Sequence, residues 1–431
     1  MRFSLVLTSL RLCATTAVLI ASATGSPAEN WVRFRGTDGR GASPDKGVPA
    51  TWSPGEYAFN IELPGEGHSA PVIFGDRLFV TSAEDEGTIR HLFCLNSETG
   101  KTLWSKTTGM NKSEKHVKSS WASASPTTDG KLVYVAFADA DRYSLTAYDY
   151  DGNLVWRKML GPYESQHGLG ASPILFENLV IAANDQDGPS SIVALDRETG
   201  RLVWSTLRPA AAQATSYATP FILERNNAVP LLICSSSQAG VTGLDPRTGR
   251  EVWTTGPLPA RTVGSPIEAG GLIFQACGGG GRGKEMIGID PSGQGNIAKT
   301  HIKQKREKIV PYVPTPVVND NHIYLWTDDG VVTCTEIESG NDVWKQRIGG
   351  NFSGSPICVD DRIYIVNEKG EVIVVGASPE YKLYGKMPLG DPSHSTPAAA
   401  NGRLYFRTFH RVICIDSAGA KKKVAQTNAD G

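Results

Sequence analysis

Side chains that could bind a metal ion or a polar ligand recur at matching positions of this 431-residue sequence. His68 and His394 each stand three residues before a proline that opens a repeat, and Asp185 and Asp187 form an Asp-x-Asp-Gly fragment. The fragment resembles the start of a calcium loop without its remaining ligands. Two histidines alone are too few, because a protein metal site needs at least one more ligand. Strand-capping histidines and a polar turn therefore stay open as structural alternatives to a metal site.

Three further candidates lie in the longer connections between predicted strands: Trp121, His167 and Arg282. Arg282 ends the glycine run 278–281, which neither Lys-Ser/Thr nor a helix pattern follows. This excludes a phosphate-binding loop and predicts a flexible loop. The basic stretch 301–308 alternates like an outer strand with a charged solvent face, and the same stretch would suit an acidic partner.

A repeated sequence motif predicts the fold that must position these residues. An acidic residue at the end of an aliphatic strand leads to Thr-Gly or its equivalent, and a Trp follows four residues after the Gly. Each unit opens with a Ser/Thr-Pro or Ser-x-Pro sequence. The tryptophans are Trp104, Trp156, Trp204, Trp253 and Trp344, and the prolines are Pro71, Pro126, Pro173, Pro220, Pro266, Pro316, Pro356 and Pro397. This period of 40 to 55 residues, with strands throughout, predicts an all-β, eight-bladed β-propeller of four-stranded antiparallel blades.

The third repeat shows how one unit builds one blade. Strands are predicted at 174–176, 179–183, 192–195 and 202–205, with the turn Asp-x-x-Thr-Gly between the third and the fourth. Asp196 can bond backbone N–H groups of that turn, and Gly200 can adopt a positive φ. We interpret Trp204 and its four equivalents as docking residues between neighbouring blades, with the indole N–H on a backbone acceptor, rather than as ligand contacts.

The ends of the repeat array predict how the ring closes. The eighth repeat stops at Asp416 without a Trp strand, whereas residues 58–63 have a fourth-strand pattern with no blade before them. An N-terminal strand that completes blade eight would pair two otherwise exposed edges. Blade five keeps the turn at 290–293 but lacks the Trp, and blade seven replaces the motif with residues 377–380. We interpret both departures as relaxed selection.

The remaining sequence predicts an exported, single-domain protein. We expect a signal peptide at 1–23, a lead-in at 24–57, the propeller at 58–418 and a flexible tail at 419–431. Cys13 lies beside Arg11 and Leu12, a poor match to a lipoprotein cleavage site. The six other cysteines are expected to be free thiols. A net charge of −1 gives no global attraction to nucleic acid or anionic membrane. We expect a monomer in the periplasm or outside the cell.

Residues 194–204 resemble the tryptophan-docking repeat of quinoprotein dehydrogenases and of the non-enzymatic eight-bladed propellers similar to BamB. The resemblance covers nearly the whole mature chain. It implies the fold, but an enzyme class and a scaffold class both carry the repeat. Resemblance to the dehydrogenases would imply pyrroloquinoline quinone over Ca²⁺, a vicinal disulfide, a catalytic Asp and Glu/Asn/Asp metal ligands.

Several features of the sequence favour the scaffold class. There is no Cys-Cys pair and no CxxCH, the long insertions of the enzymes are missing, and only 184–188 gathers oxygens suited to a hard cation. We predict a non-enzymatic propeller without a cofactor that binds a protein or cell-envelope partner. The alternative is a quinoprotein-like oxidoreductase, or a carbohydrate- or metal-binding enzyme, working at the axial loop face. No catalytic residue is assigned. The predicted ligand-binding residues on that face are His68, Trp121, His167, Asp185, Asp187, Arg282 and His394.

Overall fold

The computed structural model describes residues 30–226 and 228–416, so the predicted signal peptide and tail lie outside the described residues. Eight antiparallel sheets account for almost all of its secondary structure, which confirms the predicted eight-bladed, all-β propeller. Helix is limited, within those ranges, to the 3₁₀ turns Pro54–Glu56 and Asp85–Gly87. No helix of the described chain is long and apolar enough to cross a membrane.

Each blade is built on four strands, and each strand pairs with the one named after it. Blade one is Val72–Phe74, Arg77–Glu84, Ile89–Asn96 and Thr102–Gly109; blade two is Thr127–Thr128, Leu132–Asp139, Arg142–Asp149 and Leu154–Gly161. Blade three is Ile174–Phe176, Leu179–Asn184, Ser190–Asp196 and Leu202–Arg208; blade four is Phe221–Leu223, Leu231–Ser236, Gly240–Leu244 and Glu251–Thr254. Blade five is Ile267–Ala269, Leu272–Gly279, Arg282–Ile289 and Ile302–Arg306; blade six is Val317–Asn319, His322–Trp326, Val331–Glu336 and Asp342–Arg347. Blade seven is Ile357–Val359, Arg362–Val366, Glu371–Gly376 and Leu383–Pro388; blade eight is Ala398–Ala400, Arg403–Arg407, Arg411–Asp416 and Tyr57–Glu62.

The docking tryptophans join each blade to the next. Trp204 pairs with the small Ala194 on its own sheet, and its Nε1 donates to the carbonyl of Pro246 in the next turn at 3.1 Å. A Cβ on Gly249 of that turn would come within 2.5 Å of the Trp204 ring. Glycine is therefore needed for the ring to pack against the turn backbone, and it also accommodates the positive φ at this position. The same bond is made by Trp104 to Tyr150, Trp156 to Arg197 and Trp344 to Ser378, at 2.8 to 2.9 Å.

Trp253 is the exception among the five tryptophans. It is fully buried, and its N–H has no hydrogen-bond partner among the described residues. The turn of blade five is longer here, and Gly295–Asn296 pairs in parallel with the outer strand of blade four. Burial under this insertion therefore replaces the hydrogen bond that holds the other rings.

The N-terminal strand completes blade eight as predicted. Tyr57–Glu62 pairs antiparallel with Arg411–Asp416, and Phe59 stands opposite Cys414 where other blades place Trp. A Cβ on Gly100 of blade one would come within 2.7 Å of Phe59, so Phe59 docks on this turn as Trp204 docks on Gly249. Blade eight has its docking ring after all, and the N-terminus supplies it.

A ring of hydrogen bonds surrounds the axis at the Ser/Thr-Pro positions. In seven of the eight blades, the residue before the proline donates its backbone N–H to the Ser or Thr hydroxyl at the same position of the next blade. Seven such bonds, of 2.8 to 3.0 Å, run from Ala70 to Ser125, Ser172, Thr219, Ser265, Thr315, Ser355 and Thr396. Ala70 has no hydroxyl to accept the eighth, and the Ser395 hydroxyl donates to the Ser69 carbonyl at 3.1 Å instead.

The lead-in crosses the axis on the face of the tight turns. Trp31 exchanges two backbone hydrogen bonds with Ile73 of blade one, and Ala42–Ser43 pairs in parallel with the first strand of blade seven. Arg33 donates to the Pro220 carbonyl of blade four at 3.1 Å. Arg35 is fully buried between them and donates to carbonyls of blades six and seven as well as to the lead-in itself. The lead-in therefore ties together first strands from opposite sides of the ring.

Candidate functional site

An axial cavity of about 690 Å³ opens on the face formed by the longer loops. Phe34 of the lead-in and the Ser and Thr hydroxyls that precede the blade-opening prolines lie at its base. Loops from successive blades form its wall. The titratable side chains that line it are His68, His116, His167, His394, Lys118, Arg261, Lys284, Asp328, Tyr217 and Tyr312. A cavity of this size, with polar groups from several blades, has the form of a small-molecule site.

The structure brings the two repeat-matched histidines together at the junction of blades eight and one. The ring centroids of His68 and His394 are 4.7 Å apart, and His68 stacks on Phe409 at 4.8 Å. Burial lowers the pKa of His68 to about 4, although Glu66 at 3.4 Å opposes the shift, and burial also lowers the pKa of His394. Burial therefore favours the neutral form of both rings.

A second histidine pair lies farther around the wall. The rings of His116 and His167 are 4.3 Å apart, and Tyr217 meets His167 edge-on at 5.5 Å. Burial lowers the pKa of His167 to about 4, with smaller contributions from His116 and Arg261. Sequence analysis missed His116. The sequence feature that could have identified it is its position after the outer strand of blade one, which matches the position of His167 after the outer strand of blade two.

The fixed charges that line the cavity are mostly positive. Lys118 pairs with Glu368 at 3.0 Å, and Arg261 donates to the Gln213 carbonyl at 3.0 Å. The lining carboxylate, Asp328, accepts the backbone N–H groups of Tyr312 and Val313 at 2.8 and 3.2 Å. Burial raises its pKa to about 6 against those two hydrogen bonds. The arrangement suits a polar or anionic ligand better than a cation.

Asp185 and Asp187 do not line the cavity. Asp185 is buried and forms a bidentate ion pair with Arg208, at 3.0 and 3.4 Å. Asp187 accepts the backbone N–H and the hydroxyl of Thr215 at 2.8 and 2.6 Å. Both carboxylates therefore hold the connection from blade three to blade four.

Trp121 and Arg282 also lie outside the lining. Trp121 donates its indole N–H to the Ser113 carbonyl at 2.8 Å and packs under Lys115. Arg282 is exposed at the start of a strand, and the prediction of a flexible glycine loop before it was wrong. Gly279 pairs with Arg282 across a two-residue hairpin turn in which Gly280 and Gly281 both have positive φ. Of the seven predicted ligand-binding residues, His68, His167 and His394 line the cavity.

The donor set of the cavity does not fit a hard metal ion. Such ions need several convergent oxygens, and the single lining carboxylate already accepts two backbone N–H groups. No group of three or more His, Cys, Asp or Glu side chains within 30–226 and 228–416 could hold a metal. The six cysteines in these ranges are all buried and form no disulfide.

Comparison with known proteins gives one consistent family. The model of the family described as outer membrane protein assembly factor BamB matches residues 38–145 and 141–378. BamB of Yersinia pestis is 23% identical over 341 residues, which cover 78% of this chain and 70% of that protein. The crystal structure of BamB from Moraxella catarrhalis, at 16% identity, superposes with a TM-score of 0.57 over 83% of this chain and 99% of that one. A europium-containing methanol dehydrogenase, at 11% identity, superposes with a TM-score of 0.66 over 89% and 90%. The structural likenesses extend to the fold alone.

Proposed function

This chain belongs to the family of the outer membrane protein assembly factor BamB, and we propose from that premise that it is an exported, non-enzymatic propeller that binds a protein partner in the cell envelope. The relatives' name describes a role in assembling other proteins. The predicted signal peptide supports export. The absence of the dehydrogenase hallmarks from the sequence supports a scaffold over an oxidoreductase.

The observation that carries this proposal is an apolar surface on the rims of blades one to three. Large apolar side chains are exposed along the fourth strands of these neighbouring blades: Leu103, Leu154, Val155, Met159, Leu202, Val203 and Leu207. Leu207 is 86% exposed and Leu154 56%. Apolar groups concentrated on one side of a soluble protein favour a protein-binding surface, and outer strands with a free edge offer backbone groups as well.

The first prediction tests this rim surface. Changing Leu154 and Leu207 together to Asp should reduce at least tenfold the partner recovered with tagged protein after cross-linking in the native host. The reason is that each new carboxylate would be buried against apolar groups at the contact. Thermal unfolding should change little, because both side chains are solvent-exposed and such substitutions usually stay within about 0.5 kcal/mol.

The matched control changes Val343 and Leu383 to Asp. These residues lie on the outer strands of blades six and seven and are 46% and 42% exposed. They should leave partner recovery unchanged. Equal recovery with both double variants would remove the rim of blades one to three from the proposal.

A second candidate function is favoured by the axial cavity: binding of a quinone, carbohydrate or other polar ligand by the wall that includes His68, His167 and His394. The cavity volume, the two histidine pairs and the excess of fixed positive charge support a ligand. Trp121, Asp185, Asp187 and Arg282 are not part of this candidate site. Ligand content of protein purified from its native host separates this candidate from the scaffold.

A further inference from the structure

Blades five and seven have no aromatic ring at the docking position that faces the next blade. In blade seven that position is Gly385, opposite Val374. Gln304 stands opposite Gly288, in the register position that Trp204 occupies opposite Ala194. Its Nε2 donates to the Ile337 carbonyl at 2.7 Å. Ile337 follows the acidic residue that begins the next turn, as Pro246 does for Trp204. Blade five therefore has the docking hydrogen bond without the aromatic ring. A simple loss of the docking residue would have removed both.

The absence of an aromatic ring at position 304 leaves a cavity between blades five and six. Gly340 of the blade-six turn is exposed, whereas Gly152, Gly200 and Gly249 are each buried under the Trp of the preceding blade. A cavity of about 280 Å³ lies at this position. The side chains of Phe274, Met286 and Ile323 form its apolar wall, and Gly340 offers a backbone surface on which a ring could pack.

We propose that this groove receives a tryptophan side chain from a partner protein. The inference rests on the proposed protein-binding function and adds a second contact, on the opposite side of the ring from the rim of blades one to three. The chemistry of the occupant follows from the repeat. Indole rings fill the equivalent groove after blades one, two, three and six, each seated on or beside the next turn.

The shape of the groove also explains why the occupant comes from a protein chain. Its mouth lies along Ile302–Arg306, the outermost strand of blade five, where a side chain can enter while its backbone stays in solvent. Arg306 and Asp342 form a bidentate ion pair across the two blades, at 2.7 and 2.9 Å, which connects the two walls of the groove. Gln304 Oε1, which faces Gly340, can accept the hydrogen bond of an incoming indole N–H.

The test uses purified protein and N-acetyl-5-fluorotryptophanamide, a blocked residue that mimics tryptophan within a chain, observed by ¹⁹F NMR. Saturable binding is expected with a dissociation constant of about 1 mM, the range of a single weakly held group. Gln304→Trp fills the groove from within the chain and should weaken binding at least tenfold while raising the melting temperature. Gln304→Phe fills it without an N–H and should weaken binding similarly, which covers the case in which the first variant fails to fold.

Gln304→Ala changes the same residue without filling the groove. It removes the Gln304 Oε1 acceptor but frees the Ile337 carbonyl, the kind of acceptor that the docking tryptophans use, so binding should weaken less than in Gln304→Trp. Unchanged probe binding by the folded Gln304→Trp or Gln304→Phe protein would overturn the proposal. Free L-tryptophan binding ten times more tightly than the blocked probe would overturn the protein source of the ring and indicate a small-molecule site. The rim variant Leu154→Asp/Leu207→Asp should bind the probe normally, so failure of this inference and failure of the proposed function give different results.

Discussion

Deletion of all residues through Leu63 should leave the propeller unable to close and make the chain self-associate. The deletion removes the fourth strand of blade eight and the Phe59 ring that docks on blade one. It also removes the lead-in, whose Arg35 joins blades six and seven through their carbonyls. An unpaired strand edge on blade eight would then be free to pair with another copy.

Size-exclusion chromatography with light scattering, together with thermal unfolding, measures this outcome. A shorter deletion through Ser53 is the matched control, since it removes the lead-in and keeps Tyr57–Glu62. We expect the shorter chain to stay closed with a lower melting temperature. A chain deleted through Leu63 that remains monomeric with an unchanged melting temperature would contradict closure by the N-terminal strand.

Replacement of Trp204 by Ala should lower the free energy of unfolding by about 3–5 kcal/mol, the usual cost of deleting a large buried aromatic side chain. Trp204 is 8% exposed, sits on Gly249 and donates to the Pro246 carbonyl, so the change leaves both a cavity and an unpaired acceptor. Denaturant titration measures the loss.

Trp204→Phe provides the control for the hydrogen bond. It keeps an aromatic ring against Gly249 and removes the N–H, so much of the packing should survive and the loss should be smaller, with about 1 kcal/mol from the hydrogen bond itself. A loss below about 1 kcal/mol for Trp204→Ala would mean that this residue does not hold blades three and four together.

The sequence predicted the blades well because each depends on short-range patterns. Aliphatic strands, Asp-x-x-Thr-Gly turns and the Trp four residues later repeat within one unit, and the third repeat forms its four strands at the predicted positions. Ring closure was predictable for the same reason, since an unmatched fourth-strand pattern at 58–63 needed a partner. The role of Phe59 required the register with Cys414, which no single repeat contains.

The contacts that sequence analysis missed join residues far apart in the chain. Arg33 and Arg35 have the character of exposed residues in a polar lead-in, yet burial and carbonyl partners more than 180 positions away define their role. Asp185 and Asp187 had suitable chemistry for a ligand site, but Arg208 and Thr215 already use their oxygens. Gln304 shows the reverse case, because the repeat located the missing ring and only the folded structure showed the retained hydrogen bond.

The absorbance spectrum of protein purified from its native host tests the central claim, a partner-binding propeller without a redox cofactor, most directly. We predict only the absorption of the protein's own Trp and Tyr side chains. One equivalent of a quinone chromophore per chain, released on unfolding, would contradict the scaffold and place the function in the axial cavity.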